Sequence, residues 1–152
     1  MKKHSEQAGI KVVGIINAVL IGPDGKIKTR RRVRNIVTNT GRQLVIDRLQ
    51  AGSPAVCDYI AIGTNSTSAA AADTTLGSEN ARAQGTLSQP DAYTDRCVYT
   101  FAAGTGTGTI TECGRLNAAS NGTLMGRQVF TGIVKGAGDS LQISYDFTYA
   151  AG

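Results

Sequence analysis

Ile110-Thr-Glu-Cys-Gly-Arg-Leu-Asn117 and Gly122-Thr-Leu-Met-Gly-Arg-Gln-Val-Phe130 flank the polar turn Ala118-Ala-Ser-Asn-Gly122. A second turn, Lys135-Gly-Ala-Gly-Asp-Ser140, leads into Leu141-Gln-Ile-Ser-Tyr-Asp-Phe-Thr-Tyr149. In this last segment every odd position is apolar and every even one polar, the period of a strand with one buried and one wet face. Two successive turns rich in Gly, Asn and Ser predict that Thr109 to Tyr149 runs as an antiparallel meander.

Working outward, the whole chain suits the same class. Its 152 residues predict one domain, able to bury roughly 68–70% of its unfolded surface. The 19 glycines and many threonines favour strands and turns over helices. The expected fold is mainly β, an antiparallel β-sandwich or barrel-like domain over residues 9–152 with one short α-helix, preceded by a flexible arm, residues 1–8. A net charge of +5 with only 18% charged residues makes the chain mildly basic.

From Ile10 to Ile21 both parities are apolar, which predicts a strand covered on both faces. Gly22-Pro-Asp-Gly25 then turns the chain into Lys26-Ile-Lys-Thr-Arg-Arg-Arg-Val-Arg34. In an unbroken strand Lys26, Lys28, Arg30, Arg32 and Arg34 share one face over about 27 Å. Such a row suits contact with an acidic surface, and equally the guarding of an exposed strand edge. No aromatic residue interleaves with it, which disfavours single-stranded nucleic acid as a partner.

The one convincing helix opens near Thr40, with Gln43 completing a capping box. Leu44, Val45, Ile46 and Leu49 form its apolar face, Arg42 and Arg48 point outward, and Gly52 and Pro54 stop it. Cys57 to Gly63 reads as a buried strand. Thr64 to Asp73 reads as a loop that must cross the surface, and Leu76 to Arg82 as a helical turn with a local Glu79–Arg82 pair. Arg82 to Gln89 and Arg96 to Ala102 read as two further strands. Gly104-Thr-Gly-Thr-Gly-Thr109 is a strand connection, since it lacks the Lys-Ser/Thr of a phosphate loop.

Motifs for catalysis are missing from this reading. His4 is the single histidine, and Cys57, Cys97 and Cys113 have neither disulfide-framework nor zinc spacing, so no cofactor or metal site is expected. The start lacks the apolar core of a signal peptide, and Val12 to Ile21 is too short to span a bilayer. A soluble, unexported chain is the expectation. Glu112 shares parity with Ile110 and Leu116 and is expected to point inward, satisfied by Arg82, Arg127 or turn amides.

Several of these pieces in order resemble a family of small structural proteins of tailed bacteriophages. The matching text is Asn35-Ile-Val-Thr-Asn-Thr-Gly41 with its helix, Tyr59-Ile-Ala-Ile-Gly-Thr64, the Ala-rich loop to Asp73-Thr-Thr-Leu76 with Glu79 and Arg82, Ile110 to Asn117, and Gly122 to Phe130. The family pattern tends to carry a hydrophobic residue where Arg115 stands. The resemblance implies a β-rich virion component of the head-decoration (cement) or fibre kind, assembled in the host cytoplasm and located on the capsid surface. It implies as partners the major capsid protein and neighbouring copies in a trimer or dimer, with no membrane. The basic hairpin lies outside the best-matched region. A tail, baseplate or fibre component is the alternative, although no fibre-like repeat is present and aromatics are only 5% of the chain.

Overall fold

A computed structural model describes residues 9–152, so the predicted arm lies outside the described residues. Its strands are β1 (Ile10–Ile21), β2 (Ile27–Val37), β3 (Tyr59–Gly63), β4 (Glu79–Gln84), β5 (Thr86–Asp91), β6 (Thr94–Phe101), β7 (Gly108–Leu116), β8 (Leu124–Lys135) and β9 (Ser140–Ala151). The helix α1 (Asn39–Ala51) lies between β2 and β3. The strands form one antiparallel sheet in the order β4-β3-β7-β8-β2-β1-β9-β6-β5, curled into a half-barrel. The chain is thus mainly β and sandwich- or barrel-like, as its sequence predicts.

Curling follows from how β2 is shared. Its long first part pairs with β1 from Ile27 to Asn35, whereas only Ile36 and Val37 pair with β8. The sheet therefore folds over at the end of β2 into two layers, β5-β6-β9-β1-β2 and β4-β3-β7-β8. Their inner faces enclose Ile16, Ala18 and Leu20 of β1, Ile60 and Ile62 of β3, Phe101 of β6, Ile133 of β8, and Leu141, Ile143, Tyr145 and Phe147 of β9. The alternation of β9 becomes this burial directly, its odd residues inward and Gln142 exposed. At the far side β4 and β5, the two ends of the sheet, are joined through Gly85 alone, whose amide donates to Asp58 O at 2.6 Å.

Four local expectations are corrected. β7 and β8 form the expected hairpin, but β9 leaves it to pair with β1 and β6, so the β1–β2 hairpin sits between β8 and β9 and no three-stranded meander forms. The four-residue connection 136–139 carries the chain from one layer to the other, and only in the opposite layer does the apolar face of β9 meet the core. Second, Leu76 to Arg82 is no helical turn. Its last residues are extended in β4, where Glu79 and Arg82 still pair at 2.6 Å. Third, Arg82 to Gln89 is two strands, broken where Gly85 changes layers.

The fourth correction concerns the helix start. Its N-cap is Thr38, whose Oγ1 accepts from Gly41 N at 3.0 Å and donates to Leu124 O, fixing the helix entry to β8. Thr40 instead donates to the same carbonyl. A side chain that both caps the helix and anchors it to the sheet outcompetes the local capping box.

Candidate functional site

Outward-facing charge is concentrated on β2. A register shift opposite Leu20 and Ile21 interrupts the alternation there, so Lys26, Lys28, Arg30, Arg32 and Arg34 do not act as one row. Lys26 lies in the turn before the strand, exposed and 3.8 Å from Asp24. Lys28 is committed to the fold, donating to both carboxylate oxygens of Asp139 at 3.0 and 3.1 Å. Arg30, Arg32 and Arg34 are exposed and stand opposite Val19, Asn17 and Ile15 of β1. Directly opposed residues share a face, so the aliphatic stems of Arg30 and Arg34 lie beside Val19 and Ile15 and keep their guanidinium groups in water. Among the described residues these three arginines pair with no carboxylate.

Glu112 is fully buried, but not in the central core. An irregularity between Ile110 and Glu112 breaks the alternation, leaving Ile110 inside and turning Glu112, with Leu116, to the outer face of its layer. That face is covered by the segment from Thr64 to Ser78, with Leu76 packed on Ala61, Leu116 and Leu124. The carboxylate accepts from the amides of Asn65, Gly77 and Ser78 at 3.3, 2.9 and 2.7 Å and from Arg127 Nε at 2.8 Å. Arg127 continues to Asp73 at 2.8 Å and to Thr67 O at 3.1 Å. Arg82 is not part of this cluster: it serves Glu79 and the carbonyls of Ala118 and Asn121. Burial pushes the Asp73 carboxyl up, but the Ala70 amide and Arg127 outweigh it and hold the group below its ordinary range. With every partner engaged, the cluster clamps a covering loop and offers no free acid.

Arg115 is the largest fully buried side chain among the described residues. It donates to the carbonyls of Cys57, Asp95 and Tyr145, pairs with Asp95 Oδ2 at 2.8 Å, and lies over the Phe147 ring at 5.4 Å. Its place at the mouth between the layers is not visible in the sequence, where a lone arginine in a strand carries no signal of burial. The three cysteines are free and buried. Burial pushes the Cys57 thiol up to about 12 and that of Cys97 to about 11, and raises Cys113 as well, so none is an activated nucleophile. Among the described residues no three His, Cys, Asp or Glu side chains group as a metal site would.

Beside Arg115 opens a groove of about 840 Å³ between α1, the first residues of β1, the segment around Val56, and Leu87 of β5. The helix does not bury its whole apolar face here. Leu44 reaches the core, while Ile46 is 48% and Leu49 79% exposed.

No family model, no curated protein and no solved structure matches the chain.

Proposed function

We propose that this chain is a structural protein of a tailed-phage virion that binds the major capsid lattice and stabilises the head as a decoration protein. The observation that carries the reading is the exposed row Arg30, Arg32 and Arg34, held on a rigid strand without carboxylate partners among the described residues. Such a row complements an acidic protein surface and sets register and on-rate more than affinity. Support also comes from the motif order that resembles small phage structural proteins, and from a polar interior whose Glu112, Arg115 and Arg127 are taken up by hydrogen bonds that hold the scaffold. A protein bridging neighbouring shell subunits raises shell stability by mass action without chemistry of its own.

The test is co-sedimentation of the full chain with shells assembled from the capsid protein of the same phage, together with immunogold labelling of virions. Binding to shells, label on heads, and loss of binding on reversal of Arg30, Arg32 and Arg34 to Glu are expected. Label confined to tails would replace the reading with a tail or baseplate role. Unchanged binding by the triple variant would remove the basic row from the contact.

A further inference from the structure

We infer that the groove beside α1 is a docking site for an amphipathic, acidic segment of another protein, which seats large apolar side chains between the helix and the mouth of the half-barrel. Ile10, Ile46, Leu49, Val56 and Leu87 all line it, and all are exposed large apolar residues, with Ile10 at 80% and Leu49 at 79%. Singly exposed apolar side chains are ordinary on a protein surface, whereas five converging on one concavity mark a contact surface.

The charges at the groove identify the occupant. Arg42 and Arg48 line it and are exposed. Among the described residues their hydrogen-bond acceptors are neutral, Asn39 Oδ1 for Arg42 and the Gly52 and Pro54 carbonyls for Arg48, and neither meets a carboxylate. The other lining charges, Arg115 and Asp95, pair with each other. The groove therefore presents an apolar floor with an uncompensated positive rim, complementary to apolar residues flanked by Asp or Glu.

Other occupants fit less well. A second copy docking through the same face would bring two positive rims into one interface with no carboxylate of the groove left free to pair them. Residues 1–8 bring Lys2 and Lys3, the sign of the rim, and Met1 as their one large apolar side chain. A small-molecule site uses convergent free polar groups, and the guanidinium of Arg115 is spent on Cys57, Asp95 and Tyr145. An amphipathic helix lying in an apolar groove needs none of these groups. The inference rests on the groove alone and holds whatever surface Arg30, Arg32 and Arg34 contact.

The experiment titrates the full chain with two fluorescein-labelled 18-residue amphipathic peptides that share one leucine face. One carries Glu and the other Lys at the remaining positions, and amide shifts of the labelled protein are followed by NMR. Saturable binding of the Glu peptide is expected, with shifts confined to α1, Val56, Leu87 and the start of β1. Binding should be at least tenfold weaker in Leu49→Asp and in Ile46→Asp, and the R42E/R48E variant should turn the preference toward the Lys peptide. Ile46 and Leu49 are solvent-exposed, and an unchanged melting temperature of each variant shows that the fold is intact. Absence of saturable binding, equal binding of both peptides, or indifference to Leu49→Asp would overturn the inference. So would sedimentation showing a dimer that Leu49→Asp dissolves, which makes a second copy the occupant, or binding seen only after removal of residues 1–8, which gives the groove to the chain's own arm.

Discussion

Arg127 Nε donates to Glu112 Oε2 across 2.8 Å, and neither side chain is more than 4% exposed, although both lie on the outer face of their layer. They are buried because the segment from Thr64 to Ser78 lies over them, and that segment stays down because Glu112 accepts three of its amides and Arg127 binds Asp73 and Thr67 O. A loop made mostly of Ala, Ser, Thr and Asn has little apolar surface to hold it, with Leu76 its one buried large side chain. Charge-assisted hydrogen bonds take that role.

Removing Glu112 leaves three loop amides without their acceptor and takes from the buried Arg127 one of its two carboxylate partners, Asp73 being the other. Glu112→Ala is expected to cost about 3–5 kcal/mol, on the order of a 10 °C drop in melting temperature for a domain of this size. Asp146→Ala is the comparison. Asp146 also makes a two-pronged contact, to Arg96 at 2.7 and 2.8 Å, but Arg96 is 37% exposed and water takes over when the acid is lost. About 1 kcal/mol is expected there. Equal losses in calorimetry would mean that the clamp is no stronger than an ordinary surface pair.

Gly41→Ala tests how closely α1 rests on β8. Alanine in a helix is normally favoured over glycine by about 1 kcal/mol. Here a Cβ at Gly41 would overlap the carbonyl and Cα of Met125, which are backbone atoms and cannot turn aside. The expected sign is therefore reversed, with a loss of about 1–3 kcal/mol from forced displacement of the helix. Gly52→Ala, with φ of 64° at the helix C-cap and nothing within 4 Å, gives a contrasting loss from backbone strain alone. A stabilised Gly41→Ala variant would show that the helix moves freely on the sheet.

Sequence pattern carried as far as the strands and failed where long-range pairing decides. The period of two from Leu141 to Tyr149 states which side chains enter the core, because alternation is a property of the strand itself. It does not state which strand lies beside β9, and the turn that looked like a hairpin proved to be a change of layer. Parity from Ile110 predicts burial of Glu112 but not the face on which it is buried, because a register shift that no residue type announces lies between them. Strand parity places Lys28 with the outward cations, and only the fold brings Asp139 to it, 111 residues along the chain. The apolar helix stripe was legible in Leu44, Val45, Ile46 and Leu49. That half of it stays uncovered was not, since amphipathicity is the same whether the partner lies within the chain or outside it.

Thiol chemistry gives an independent check on how tightly the layers close. Burial raises all three cysteines, Cys97 to about 11 and the other two further, so at pH 8 no more than about one thiol in a thousand is ionised at any of them. Cys97 and Cys113 are 0% and Cys57 8% exposed. The folded protein should therefore react with a disulfide reagent such as Ellman's at a rate set by opening of the fold, and release three equivalents promptly in guanidinium. Prompt reaction of one thiol in the native state would single out Cys57 at the groove and show that this end of the half-barrel opens readily.

Asp139 contributes to the response to acid. Its side chain is nearly buried in the turn between β8 and β9, where Lys28 donates to both oxygens and the Gly136 amide to one at 2.9 Å. The Lys28 hydrogen bond first and that amide second hold its carboxyl below the ordinary carboxylate range. A group whose folded value lies below its unfolded one stabilises the fold fully above the unfolded value of about 3.9, and its contribution is lost as pH falls from there through the folded value. Asp73, depressed in the covering loop beside Arg127, acts in the same window. Asp139→Asn should thus melt earlier than the native chain at pH 7, and the two melting curves should draw together below about pH 4 as the native carboxylate is protonated. A gap that stays constant from pH 7 to pH 2 would assign the loss to the shape of the turn instead of its charge.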